Sequence, residues 1–225
     1  SCGNGKVKLS YAFAESCNTP FAQLAMDVGY KDLSSEAEAW GFDDSQSIPL
    51  TVTPSRFPET NSDAETAMAG IGQASVRATP LMMAQVAGTI ANGGDQMKPY
   101  LVAQTLDSDL NVVDTTTPKV ARTPISSQTA QALSSLMQQA VSDGTGSSAQ
   151  VAGVSVAGKT GTAETGSDDG GPVTWFVGFA GTDLSKPSIA LAIVLDGGEQ
   201  TAATGTGGSV AGPMAASIID AAVDQ

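Results

Sequence analysis

The last third of the chain runs strand, strand, strand, helix. VSVAGKTGTAE (from Val154), TWFVGFAGT (from Thr174) and SIALAIVLDGG (from Ser188) are rich in β-branched, aromatic and small apolar residues over strand-like lengths. SVAGPMAASIIDAAV, from Ser209, then follows helical spacing. A parallel crossover needs a dozen or more residues, and these connections are shorter, so the three strands are antiparallel neighbours. The pattern predicts an α+β fold, an antiparallel sheet flanked by helices.

The rest of the 225-residue sequence supplies the helices. One is expected over Leu9 to Glu15. Another starts at Thr19-Pro20, with Phe21, Leu24, Ala25 and Val28 on one face, and ends at Gly29. Asp43 to Ser62 is rich in Pro, Ser, Thr and Asp and reads as a long loop. Thr79 caps and Pro80 opens a helix with Met83, Val86, Ala87 and Ile90 on one face, stopped by Asn92-Gly93-Gly94. A β-hairpin excursion is expected around 99–122, an amphipathic helix over Ser127 to Ser142, and a flexible break from Gly144 to Ser148. The apolar run SIALAIVL is far too short to span a bilayer.

The composition narrows the chemistry by exclusion. With 23 acids against 10 bases the net charge is -13, so the basic footprint of a nucleic-acid partner is missing. The acids are dispersed and read as a solvated surface. The sequence contains no histidine, which rules out a Ser-His-Asp triad and a Cys-His pair within it, and no metal site is expected. Cys2 and Cys17 are either two thiols or one bridge closing a loop of about 15 residues.

Any base for nucleophilic catalysis must then be a lysine whose pKa burial lowers. Lys159 is the one lysine that falls within an apolar, small-residue strand. It reads either as a strand lysine snorkelling to solvent or as a functional cation. Thr160, Gly161 and Thr162 follow it. A cation, two hydroxyls and a mid-strand glycine suit an extended peptide carboxylate docked along a strand edge. Ser16-Cys17-Asn18 precedes a helix. It reads either as an ordinary cap or as a hydroxyl and a carboxamide projecting together toward a substrate amide.

Taken in this order, SCN at Ser16 to Asn18 and KTGT at Lys159 to Thr162 resemble the second and third signatures of the penicillin-recognising serine acyltransferases, S-x-x-K, S-x-N and K-T-G. GQASVRATPLMMAQVAGTIANGG, TWFVGFAGT and the closing helix after GGSVAGP extend the likeness over essentially the whole chain. They make it similar to monofunctional, class B penicillin-binding proteins of actinobacteria, notably the penicillin-binding protein A group. The resemblance implies a peptidoglycan D,D-transpeptidase that cross-links stem peptides by serine acyl transfer and is acylated by β-lactam antibiotics, without a cofactor. It assigns Ser16, Asn18 and Lys159 catalytic roles, and gives Thr160, Gly161 and Thr162 the substrate. It further implies an extracytoplasmic domain behind a membrane anchor, and a glycosyltransferase partner in the cell-wall machinery. In that oxidising compartment Cys2–Cys17 becomes an expected disulfide.

The sequence departs from the signature in one respect: no S-x-x-K occurs within it. Residues 1–225 are therefore expected to be the C-terminal portion of a single transpeptidase domain. The nucleophilic serine would lie upstream, leaving this chain alone inactive. The family's sheet draws further strands from that segment, so the strand at Ser188 to Leu195 is expected to have an unpaired edge here. The alternatives are a β-lactamase of the same fold, or a non-catalytic β-lactam sensor or cell-wall scaffold.

Overall fold

A computed structural model describes residues 2, 5–164, 171–197 and 205–223. The elements in order are α1 (Leu9–Ala14), α2 (Asn18–Val28), α3 (Tyr30–Trp40), β1 (Gln46–Ile48), β2 (Leu50–Val52), α4 (Asp63–Ala69) and α5 (Pro80–Ala91). There follow β3 (Gln96–Met97), β4 (Gln104–Leu106), β5 (Val112–Thr115), β6 (Val120–Arg122) and α6 (Ser127–Ser142). The chain closes with β7 (Ser155–Ala163), β8 (Val173–Gly181), β9 (Ile189–Leu195), a π-helical turn (Gly207–Ala211) and α7 (Gly212–Val223).

The last three strands form an antiparallel sheet in the order β7-β8-β9. Both faces are covered. Val156, Phe176 and Ala180 pack with Ala215 and Ile219 of α7. Ala157, Val177 and Phe179 pack with Ala87 and Ile90 of α5 and Met137 of α6. Gly158 and Gly178 face each other across β7 and β8, and a Cβ on Gly158 would stand 2.3 Å from Phe176 Cζ. The pair of glycines makes room for the fully buried Phe176 ring. Among the described residues β9 pairs only with β8. No helix among them is long and apolar enough to cross a membrane.

The helix signals act as their chemistry requires. Thr79 Oγ1 accepts from Met82 N at 3.1 Å to open α5, and Ser126 Oγ accepts from Thr129 N at 3.1 Å to open α6. The apolar face expected of α2 is only partly used. Ala25 is buried, whereas Leu24 and Val28 are each 46% exposed. The contact with α4 decides this, because a Cβ on Gly70 would lie 2.2 Å from Ala25 Cβ. That close approach sets which side of α2 faces inward. The polar segment YKDLSSEAEAW, for which no helix was expected, forms α3 and buries no residue fully.

Three expectations need correction. The long loop at Asp43 to Ser62 contains a small hairpin, β1 with β2, of only three residue pairs. Strands that short leave no alternation to read. Residues 99–122 hold the β4–β5 hairpin, but β6 returns to pair with β3, outside the expected range. The segment from Gly144 to Ser148 is no flexible break. A Cβ on Gly144 would stand 2.3 Å from Ala14 O, and Thr145 N donates to that same oxygen at 3.0 Å. Here glycine permits a close backbone approach.

Candidate active site

The turn from α1 to α2 carries Ser16, Cys17 and Asn18. Ser16 N donates to Phe13 O at 3.2 Å and Cys17 N to Ala12 O at 2.9 Å, which folds the turn back onto α1. Ser16 takes φ 55, a left-handed conformation costly for a residue with a side chain. Cys17 is 1% exposed and joined to Cys2 by a disulfide, with Cα atoms 5.8 Å apart. With Cys17 turned inward, Ser16 and Asn18 on either side of it are exposed. No side chain caps α2, so the ordinary cap reading of these two residues does not hold.

Lys159 sits in the middle of β7, opposite Val177. It shares that face of the sheet with the α5–α6 cluster, where Phe13 also packs. Its Nζ lies 5.9 Å from the centroid of the Phe13 ring, within reach of a cation–π attraction. Nζ also donates to Thr160 O at 2.9 Å. Burial lowers its pKa from the ordinary 10.5 to about 8. The ammonium therefore predominates at neutral pH but is readily discharged.

Thr160 is 7% exposed, and its Oγ1 lies 2.6 Å from Thr145 Oγ1. Gly161 stands opposite Trp175, and a Cβ on it would meet Trp175 Cβ at 3.3 Å. Thr162 is exposed. Its Oγ1 accepts from Gly207 N at 3.1 Å, which leaves the hydroxyl proton to donate elsewhere. Gly207 has no room for a side chain, since a Cβ there would lie 2.5 Å from Gly161 O. A reciprocal cap between Thr206 and Ser209 fixes that turn.

The two sequence motifs are thus joined by contacts that neither motif contains. Phe13, three residues before Ser16, lies under the Lys159 cation. Thr145 binds the Ala14 carbonyl through its amide and Thr160 through its hydroxyl. Phe13, Thr145, Gly207 and Gln73, whose Nε2 donates to Thr162 O at 3.2 Å, were not singled out from the sequence. Thr145 has a glycine on either side, and Gln73 and Gly207 fall within the phrases GQASVRATPLMMAQVAGTIANGG and GGSVAGP. Among the described residues no group of three His, Cys, Asp or Glu side chains converges to hold a metal ion. A concavity of about 380 Å³ between α5 and β9, lined by residues such as Gly88, Asn92 and Ile189, contains none of the site residues.

Residues 1–220 match the family model described as the penicillin binding protein transpeptidase domain. The chain is 41% identical to the peptidoglycan D,D-transpeptidase PbpA of Mycolicibacterium smegmatis over 229 residues, covering 100% of this chain and 46% of that protein. It is 38% identical to PbpA of Mycobacterium tuberculosis, covering 99% of this chain and 45% of that protein. The crystal structure of PBPA from M. tuberculosis superposes with a TM-score of 0.89 at 38% identity, over 98% of this chain and 50% of that one. The chain spans about half the length of the relatives it matches. On this sequence match the chain belongs to the penicillin-binding protein transpeptidase domain family.

Proposed function

We propose that residues 1–225 are the C-terminal portion of a peptidoglycan D,D-transpeptidase domain. The observation that supports this most is the fixed relation between the Ser16–Asn18 turn and the Lys159 strand, held through Phe13 and Thr145. The relatives carry the name peptidoglycan D,D-transpeptidase, and M. tuberculosis penicillin-binding protein A has been solved as acyl-enzyme complexes with imipenem, ceftriaxone and penicillin G.

In this reading a serine from an S-x-x-K segment outside residues 1–225 attacks the carbonyl carbon of the D-Ala-D-Ala bond. The serine oxygen forms an ester, the C–N bond breaks and D-alanine leaves as the amine. Ser16 passes the serine proton toward that leaving nitrogen. Asn18 holds the substrate amide with its carboxamide. Lys159 keeps the site positive and supports Ser16. Thr162, with its hydroxyl acceptor side taken by Gly207, donates to the terminal carboxylate, and Thr160 assists from its contact with Thr145. The N–H of Thr162 stabilises the developing oxyanion, a contribution of about 3 kcal/mol for one such donor. An acceptor amine from a second stem peptide then attacks the ester, which forms the cross-link and returns the proton to the serine.

The same reading places the domain on the extracytoplasmic face of the membrane behind an N-terminal anchor. It also gives the domain a glycosyltransferase of the cell-wall machinery as a partner and leaves residues 1–225 inactive by themselves. The test is release of D-alanine from a synthetic stem pentapeptide by the full-length gene product. Penicillin-sensitive release that falls at least a hundredfold in Ser16→Ala supports the proposal. Release that is absent in the wild type, or untouched by Ser16→Ala, refutes it.

A further inference from the structure

The π-helical turn Gly207–Ala211 is of a rare kind that gathers at functional sites. Gly207 opens it, so its N–H is one of the donors that a helix start leaves without an intrahelical partner. That donor goes to Thr162 Oγ1 at 3.1 Å. The groups that aim it belong to the turn itself. A peptide unit is planar, so fixing the Thr206 carbonyl fixes the Gly207 N–H on its far side. Thr206 O accepts from Ser209 N at 3.0 Å, from Ser209 Oγ at 3.2 Å and from Val210 N at 3.0 Å. Ser209 Oγ also accepts from Thr206 N at 2.9 Å, and Thr206 Oγ1 accepts from Ser209 N at 3.2 Å. Ser209 therefore holds the residue before Gly207 at both its N–H and its C=O.

The Thr162 hydroxyl has another place to turn. Thr174 stands directly opposite it on β8, is fully buried, and its Oγ1 has no hydrogen-bond partner among the described residues. Directly opposite residues share a face of the sheet, and threonines so placed can pair through their hydroxyls. A Thr162 hydroxyl turned to Thr174 would give its proton to the core. A hydroxyl has one proton to donate and lone pairs that accept. With the Gly207 N–H on one lone pair, the Thr162 oxygen is held toward the turn and its proton is left for the exposed side.

We propose that Ser209 is a positioning residue for the transpeptidase site. Through Thr206 it aims the Gly207 N–H at Thr162 and so orients the hydroxyl that donates to the ligand carboxylate. It acts through the cap rather than on the ligand. The inference rests on the transpeptidase reading.

The experiment measures second-order acylation constants of the full-length gene product with penicillin G, in a double-mutant cycle of Ser209→Ala and Thr162→Val. Ser209→Ala is expected to slow acylation about threefold to tenfold, the worth of one net hydrogen bond. Ser209→Thr, which keeps the hydroxyl, should stay within about twofold of wild type. In the Thr162→Val background no hydroxyl is left to orient, so Ser209→Ala should change the constant by less than about twofold. Thermal melting confirms that each variant is folded. Thr206→Val, which breaks the same cap from its other side, serves if Ser209→Ala is not. An unaltered constant in Ser209→Ala, a threonine variant as slow as the alanine, or the same fold loss in both backgrounds, as for a turn that only adds stability, overturns the proposal. Wild-type protein that penicillin G does not acylate would instead defeat the transpeptidase reading itself.

Discussion

Thr145 Oγ1 lies 2.6 Å from Thr160 Oγ1, and the same threonine donates its amide to Ala14 O at 3.0 Å. One residue in the turn after α6 thereby ties the turn that presents Ser16 to the strand that presents Lys159. The Thr160 hydroxyl is almost entirely buried, so its orientation depends on that partner.

Thr145→Val should keep the shape of the side chain and strand the Thr160 hydroxyl. An unsatisfied buried hydroxyl costs about 1–3 kcal/mol, which lowers the melting temperature by several degrees. Acylation by penicillin should slow about tenfold, roughly one hydrogen bond's worth of positioning. Thr145→Ser, which retains the oxygen, should recover most of both losses. Equal losses in the serine variant would show that the hydroxyl pair is not the cause.

The Cys2–Cys17 bridge closes a 15-residue separation onto the residue between Ser16 and Asn18. A loop of that size is worth about 3 kcal/mol on the chain-entropy account. Cys2→Ser or reduction should therefore lower the unfolding free energy by about that amount and also slow acylation, because the buried Cys17 loses its anchor. The check is denaturant unfolding with and without reductant, followed by acylation under the same conditions. Unchanged acylation in the reduced, folded protein would confine the bridge to a purely stabilising role.

Lys159 supplies the pH dependence. Burial lowers its pKa from 10.5 to about 8, so between these values the unfolded chain holds more protons than the folded one. Stability contributed at this residue therefore rises as the pH climbs from about 8 to 10.5, and below 8 the full cost of the buried ammonium applies. At 1.36 kcal/mol per pH unit that cost is about 3 kcal/mol. The stability gained by Lys159→Met should be largest near pH 7 and vanish by about pH 10.5. Acylation should fall as pH rises through about 8, since the cation is lost, and Lys159→Arg should remove that alkaline limb even if it is slower. An activity profile flat from pH 7 to 10 would contradict the role given to the ammonium.

The parts of this molecule visible in the sequence are those written in local pattern. The three core strands alternate or run apolar over seven to nine residues, and Thr79-Pro80 announces α5 by cap chemistry. The S-x-N and K-T-G motifs are contiguous and so can be read as strings. What binds them together is not local. Thr145 meets Ala14 across 131 positions and Gln73 meets Thr162 across 89. Such contacts join a loop side chain to the backbone of a distant helix or strand, and no periodicity encodes them. The glycines beside Thr145 suggested looseness, whereas their use is the close approach of two backbones. The polar α3 and the three-residue strands β1 and β2 escaped for a simpler reason. They bury too little to leave a pattern.

The most direct test of the central claim is to treat the full-length gene product with a fluorescent penicillin and map the labelled peptide by mass spectrometry, beside the 225-residue chain alone. The account predicts one adduct, on the serine of an S-x-x-K segment outside residues 1–225, lost in Lys159→Ala and absent from the shorter chain. No adduct on the full-length protein, or an adduct on Ser16, would contradict it.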